Sequence, residues 1–191
     1  MPKIFGSILL ALATSILFTG CSLFSTRTPD EPLADAGTFS QPDTPEQVID
    51  NIIAAVREMN ALNYRRSLND DLLFHPTATA EARESVFANW GRAQEDQYFT
   101  AAAAAAKLNT GHGLVLNDQS FTIVSDTQFL LDATYVLTIN HRRPDAPSEV
   151  QGRLQWLIEQ GSNGLWDLEE WTDQELGGRT SWSDLKAEFM K

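Results

Sequence analysis

The residues able to do chemistry in this chain are few and scattered. Cys21 is the only cysteine among 191 residues, and the three histidines, His75, His112 and His141, stand far apart. His112 lies between two glycines and His141 beside Arg142-Arg143. Neither has a second ligand at metal-binding spacing, so no metal site is expected. The acidic neighbours Asp70-Asp71 and Glu169-Glu170 lack the ligand pattern of a calcium loop. Gly111-His112-Gly113 does not have the form of a nucleotide loop, and no Gly-x-Ser-x-Gly or Walker sequence occurs. No cofactor is expected.

The position of Cys21 is more informative than its chemistry alone. One positive charge at Lys3 precedes an apolar run from Ile4 to Phe18, and small residues Thr19 and Gly20 follow just before the cysteine. That is the layout of a secretory signal over residues 1–20. The run is shorter than the roughly 20 residues of a membrane span. Leu17-Phe18-Thr19-Gly20-Cys21 resembles the lipobox of bacterial lipoproteins, with Phe18 standing where that pattern usually has Leu, Val or Ile. The resemblance implies cleavage before Cys21 and a lipid anchor, palmitate included, on its thiol. An ordinary signal peptide that leaves Cys21 as a free thiol is the alternative, but a lone cysteine in an exported chain has no partner for an internal disulfide. Ser22 after the cysteine resembles the outer-membrane sorting pattern of Gram-negative lipoproteins, which implies the outer membrane, facing the periplasm, in such a host.

Residues 21–43 are rich in Ser, Thr, Pro, Asp and Gly with no apolar period, and read as a flexible tether. Residues 44–191 are a usual size for one domain. The 14 basic and 26 acidic side chains give a formal net charge of −12, one unit more negative once Lys3 is removed. Nucleic acid is therefore excluded as an expected partner.

Within the domain, Thr44-Pro45-Glu46-Gln47 is a helix start with a capping box, and Val48, Ile52, Val56 and Met59 form one apolar stripe. Leu62, Tyr64 and Leu68 predict a second short helix ending at Asn69-Asp70-Asp71, followed by an extended Leu72-Leu73-Phe74-His75 stopped by Pro76. A third helix is predicted from Thr79 or Ser85 to Leu108, carrying Val86, Phe87, Trp90, Tyr98 and the alanine run Ala101 to Ala106. After Gly113 the period becomes two. Phe121 and Ile123 open an alternation that continues through Phe129, Leu131, Ala133, Tyr135, Leu137 and Ile139, and Val150, Gly152, Leu154, Trp156 and Ile158 form another. Gly161 to Gly164 predicts a hairpin. Trp171 falls three residues after Leu168, which requires a bulge near Glu169-Glu170 if it is to join the core. Ser181 to Lys186 predicts a short amphipathic helix. Helices followed by long antiparallel strands give an α+β class, with the helices packed on one face of a curved sheet.

Several of these segments together resemble the NTF2-like superfamily: Thr44-Pro45-Glu46, Tyr64 with Leu72-Leu73-Phe74, Trp90 with Glu95, and Gly164 to Leu168 with Trp171 and Asp173. The nearest likeness is to bacterial lipoproteins of unassigned role on that fold. The resemblance implies a cone between sheet and helices, in some members a pocket for acid–base chemistry. His75, Tyr64 and Glu170 are the catalytic candidates, with Asp132 and Tyr135 as further titratable groups, although none matches the catalytic residues of ketosteroid isomerase or scytalone dehydratase. Asp132 falls on the face opposite Tyr135 and should be solvated. Trp90, Tyr135, Trp156 and Trp166 are expected in the cone as core or as the wall of a pocket for an apolar ligand, with filling preferred. The expected function is a non-catalytic binding or interaction module, for a small apolar ligand or a protein. The alternative is an isomerase or dehydratase acting in the cone, the test being whether two titratable groups converge there. The polar outer-face residues Gln151, Arg153, Gln155 and Glu159 predict a monomer or weak homodimer.

Overall fold

A computed structural model describes residues 37–191; the predicted signal, Cys21 and most of the predicted tether lie outside the described residues. Helix α1 (Pro45–Glu58) starts at Thr44, where Gln47 Oε1 accepts the backbone N–H groups of Asp43 and Thr44 at 2.6 and 3.0 Å. It buries Val48, Ile52 and Val56 and stops where Met59 takes a left-handed φ of 51°. The packing reaches back ahead of Thr44. Ser40 exchanges two hydrogen bonds with the Asn51 side chain, and Pro42 O accepts from Trp166 N at 2.8 Å.

The second helix, α2 (Ala61–Arg66), is shorter than the sequence suggests, because Leu68 already belongs to strand β1 (Leu68–His75) and Asn69-Asp70-Asp71 lies in that strand. The predicted long third helix is broken into α3 (Ala78–Arg83), a 3-10 turn at Ser85–Phe87 and α4 (Arg92–Ala105). Asn89 with φ 62° and Gly91 interrupt it. Trp90 consequently sits in the connection, and Gly91 bridges to Leu73 of β1. Of the alanine run only Ala102 and Ala106 are buried.

Strands β2 (Gly113–Ser125), β3 (Gln128–Thr138), β4 (Glu149–Gln160) and β5 (Trp166–Glu175) pair antiparallel in sequence. The sheet order is β1-β5-β4-β3-β2, and β1 joins β5 in parallel, so one edge departs from the all-antiparallel expectation. A bulge lets Glu170 pair with Leu157 while Leu168 pairs with Ile158, leaving Glu169 as the extra residue, and Trp171 turns fully into the core. The inward alternation of β3 and β4 is as the sequence predicts. That of β2 is not: Leu114 and Leu116 are buried, whereas Phe121 and Ile123 are 44% and 70% exposed. They lie on the far half of the edge strand.

The chain closes with α5 (Trp182–Phe189), which departs most from expectation. It is not amphipathic at the surface. Trp182, Ser183, Leu185, Lys186, Ala187 and Phe189 are all buried.

Candidate functional site

Helix α5 begins at a capping box in which Ser181 Oγ accepts from Asp184 N at 3.2 Å and Asp184 Oδ2 accepts from Ser181 N at 2.8 Å. Its side chains lie between the sheet and helix α4. The Trp182 ring stands 4.5 Å from Trp171 of β5 and 5.5 Å from Tyr135 of β3, centroid to centroid, and its Nε1 donates to Tyr98 Oη of α4 at 2.9 Å. The interior of the cone is thus occupied by the protein's own helix.

Four residues after Trp182, Lys186 enters the same space with no exposure at all. Its Nζ lies 2.7 Å from Glu95 Oε2 and 3.4 Å from the ring centroids of both Phe74 and Trp171. The rings of Trp90, Tyr98 and Trp182 complete the surround at 5.7–5.9 Å. Glu95, equally buried, stands in the first turn of α4, where the unpaired backbone N–H groups favour a negative charge. Gly91 fixes that turn: its N–H donates to Gln94 Oε1 at 3.1 Å, and its carbonyl accepts from Glu95 N at 3.0 Å. Glu95 also accepts from Tyr64 Oη at 2.7 Å and Trp90 Nε1 at 2.8 Å. Burial pulls the Lys186 ammonium down to about 8, and the Glu95 charge opposes the fall. Burial, with Glu95 nearby, pushes the Tyr64 phenol well up.

A second buried carboxylate, Asp173 of β5, ties the start of α5 to the sheet. It accepts from Tyr135 Oη at 2.8 Å and from the N–H and hydroxyl of Ser183 at 2.7 and 2.6 Å. Tyr135 Oη in turn accepts from Trp182 N at 2.7 Å. Burial raises the Asp173 carboxyl while its Ser183 and Tyr135 hydrogen bonds hold it back. Tyr135 lies across Gly152 of β4, where a Cβ would come within 2.7 Å of its hydroxyl. Among the described residues, the indole N–H groups of Trp156 and Trp171 are buried without a nitrogen or oxygen partner.

The three catalytic candidates do not come together. Tyr64 is inside, bonded to Glu95, whereas His75 and Glu170 meet on the exposed side of the β1–β5 edge, Nε2 to Oε1 at 3.1 Å and with side chains 52% and 41% exposed. Asp132 is on the outer face as parity requires. It accepts from Arg153 Nε at 2.6 Å and Gln155 Nε2 at 2.9 Å, and the Arg153 bond holds its carboxyl below the usual range. Trp90, Tyr135 and Trp156 are interior. Trp166 is also buried, edge-on against Phe129, and its rim borders a surface cleft of about 540 Å3 with Phe39, Arg66 and Arg92. His112 and His141 make local backbone contacts, to Lys107 O and Pro147 O. Among the described residues, no group of three or more His, Cys, Asp or Glu side chains gathers as a metal site would require.

Titratable groups do converge inside the cone: Tyr64 and Tyr135, which the sequence singled out, meet Glu95 and Asp173, and Lys186 joins Glu95; sequence reasoning did not name Glu95, Asp173 or Lys186 as site residues. Glu95 and Asp173 entered it only as marks of the fold. For Lys186 a signal existed: it lies next to Leu185 and four residues from Trp182, on a helix whose other apolar positions are Ala187 and Phe189. A lysine beside such a stripe reads by default as a solvated flank.

No protein-family model matches the sequence, and no curated protein matches it. Solved structures do. An NTF2-like protein from Cytophaga hutchinsonii aligns over 72% of this chain and 100% of its own, with TM-score 0.54 and 12% identity. A provisionally assigned aromatic ring hydroxylase from Novosphingobium aromaticivorans aligns over 74% and 92%, with TM-score 0.52 and 15% identity. An NTF2-like protein of unknown function in nutrient uptake from Rhodospirillum rubrum aligns over 69% and 94%, with TM-score 0.50 and 14% identity.

Proposed function

We propose, for a chain with the NTF2-like fold, that it is an exported lipoprotein anchored through Cys21 and that its domain works as a non-catalytic binding or interaction module. The anchor reading is supported by the run Leu17 to Cys21 and by the lone cysteine. In a Gram-negative host Ser22 favours the outer membrane, facing the periplasm. The observation that carries the non-catalytic reading is the Lys186–Glu95 pair: the position a substrate would take in a cone is filled by a side chain of the chain itself, hydrogen-bonded and without solvent access. A group reserved for acid–base work needs a substrate within about 3 Å. Here that distance is taken.

Labelled palmitate should enter the parent protein and not the Cys21→Ala variant, which should remain unprocessed or leave the membrane fraction. A processed Cys21→Ala protein still wholly bound to membranes would defeat the anchor reading. We further propose a monomer or weak dimer, since Arg153, Gln155 and Asp132 satisfy one another on the outer face of the sheet; a concentration-independent dimer in sedimentation would contradict this.

A second reading, an isomerase or dehydratase acting in the cone, is favoured by one observation: two carboxylates and two phenols, Glu95 with Tyr64 and Asp173 with Tyr135, converge there. It requires α5 to give way to a substrate. Titration with planar hydrophobic compounds tests whether the cone is filled or can open. Saturable quenching of tryptophan fluorescence that is lost in a folded Trp156→Ala variant would overturn the filled cone and support a ligand-binding or an enzyme reading, which turnover of the bound compound then separates; absence of quenching supports the closed module.

A further inference from the structure

We propose that the space under α5 is a prebuilt cage for a primary alkylammonium group, which Lys186 fills from within the chain and which a free short alkylammonium ion can fill once that side chain is removed. The inference is independent of the lipid anchor. Three features of the geometry carry it. The ammonium is held as a cation ligand is held, by one carboxylate oxygen at 2.7 Å and two ring faces at 3.4 Å, with three further rings behind them. Of those groups, Phe74, Trp90, Glu95, Tyr98 and Trp171 belong to the sheet, α4 and the connection before it, so they remain when the lysine side chain is removed. Finally, Glu95 is aimed by groups other than the lysine: Tyr64 Oη and Trp90 Nε1 fix its two oxygens separately. The cage is therefore prebuilt, which is what keeps the entropic cost of binding low.

The same geometry sets the ligand class. A carboxylate with ring faces selects a cation over a neutral alcohol of equal size. The complete burial of Glu95 and Lys186 limits the ligand to a short alkyl chain, because a peptide bearing a lysine would have to bury its own backbone polar groups as well.

Lys186→Ala removes Cγ, Cδ, Cε and Nζ, the atoms that propylammonium supplies. The thermal midpoint of the full-length Lys186→Ala protein should rise saturably with propylammonium chloride at constant ionic strength, by roughly 3–6 °C when the ion reaches ten times its Kd. Propanol and propionate should give no such rise, and the parent protein, whose cage is filled, should not respond to the amine. Adding Glu95→Gln to the variant should abolish the response. Equal responses to propylammonium and propanol, or an equal response in the parent, would overturn the proposal. If Lys186→Ala does not fold unaided, it is refolded from urea with either additive and followed by near-ultraviolet circular dichroism. Recovery with propylammonium alone supports the cage; recovery with both or with neither refutes it.

Discussion

Replacing Lys186 with Met tests whether the buried pair is held together by charge or only by shape. Methionine keeps nearly the same length and fills the space between Phe74 and Trp171, so little cavity is created. What is lost is the only positive group on Glu95 among the described residues; the carboxylate keeps two neutral donors, Tyr64 Oη at 2.7 Å and Trp90 Nε1 at 2.8 Å. Both partners have no exposure, so water cannot screen the carboxylate that remains. Removing one member of such a pair costs about 3–5 kcal/mol. The lost cation–ring attraction, about 2 kcal/mol when desolvated, is partly replaced by sulfur–ring contacts of about 0.3–1.5 kcal/mol. A net loss near 4 kcal/mol would be a large part of the roughly 5–15 kcal/mol that holds a domain together. The double variant Lys186→Met with Glu95→Gln removes both charges and leaves an amide whose oxygen can still accept a hydrogen bond. It should return to within about 1 kcal/mol of the parent or exceed it. Urea unfolding of the four proteins, followed by tryptophan fluorescence, gives the cycle. If Lys186→Met alone lies within about 1 kcal/mol of the parent, Lys186 is not what compensates Glu95, and the electrostatic account of the interior is wrong.

The parent should lose stability at strongly alkaline pH. Tyr64, Tyr98 and Tyr135 are all raised from 10.0 by burial, so above that value the phenols of the unfolded chain ionise first, the folded chain binds more protons, and stability falls as pH rises. Midpoints measured from pH 7 to 11 should therefore drop above about 10, and a midpoint that holds to about pH 11 would contradict the burial of the phenols. Gly152→Ala places a methyl 2.6 Å from Gln174 O and 2.7 Å from Tyr135 Oη, and should cost about 1–3 kcal/mol in urea; an unchanged midpoint would mean that Tyr135 does not lie across the strand. Asp173→Ala strips an acceptor from Tyr135 Oη and from both donors of Ser183. A loss of several kcal/mol is expected at about 1–3 kcal/mol per stranded group, and hydrogen exchange should show α5 opening ahead of the sheet.

The long strands were legible because period two is unambiguous over ten residues with one face buried. The bulge was legible too, since Trp171 could reach the core in no other way once Leu168 was placed. The breaks were harder to see. Leu68 continues the apolar spacing of the helix before it, so a helical period conceals the start of β1, and Trp90 fits a helical stripe although Asn89 and Gly91 prevent a helix there. Phe121 and Ile123 keep the strand period but sit on an edge strand whose far half is exposed, and period alone does not report cover. The interior charges were least legible. Glu95 and Lys186 are 91 residues apart, and each alone looks like a surface residue. Only tertiary structure tells a lysine that flanks an apolar stripe from one that penetrates it.

The parallel pairing of β1 with β5 has a kinetic consequence. Asn69 and Asp167, hydrogen-bonded across these two strands, are 98 residues apart, so the first strand of the sheet must wait for the last before its edge partner exists. The antiparallel neighbours β2 to β5 can pair through local turns in the meantime, but β1, α4 and α5 have no finished surface to join until β5 is in place. Long loop closures of this kind slow folding. Refolding should therefore form the meander before the helices seat on it, and under the export proposed above that delay would keep the chain unfolded for longer ahead of translocation.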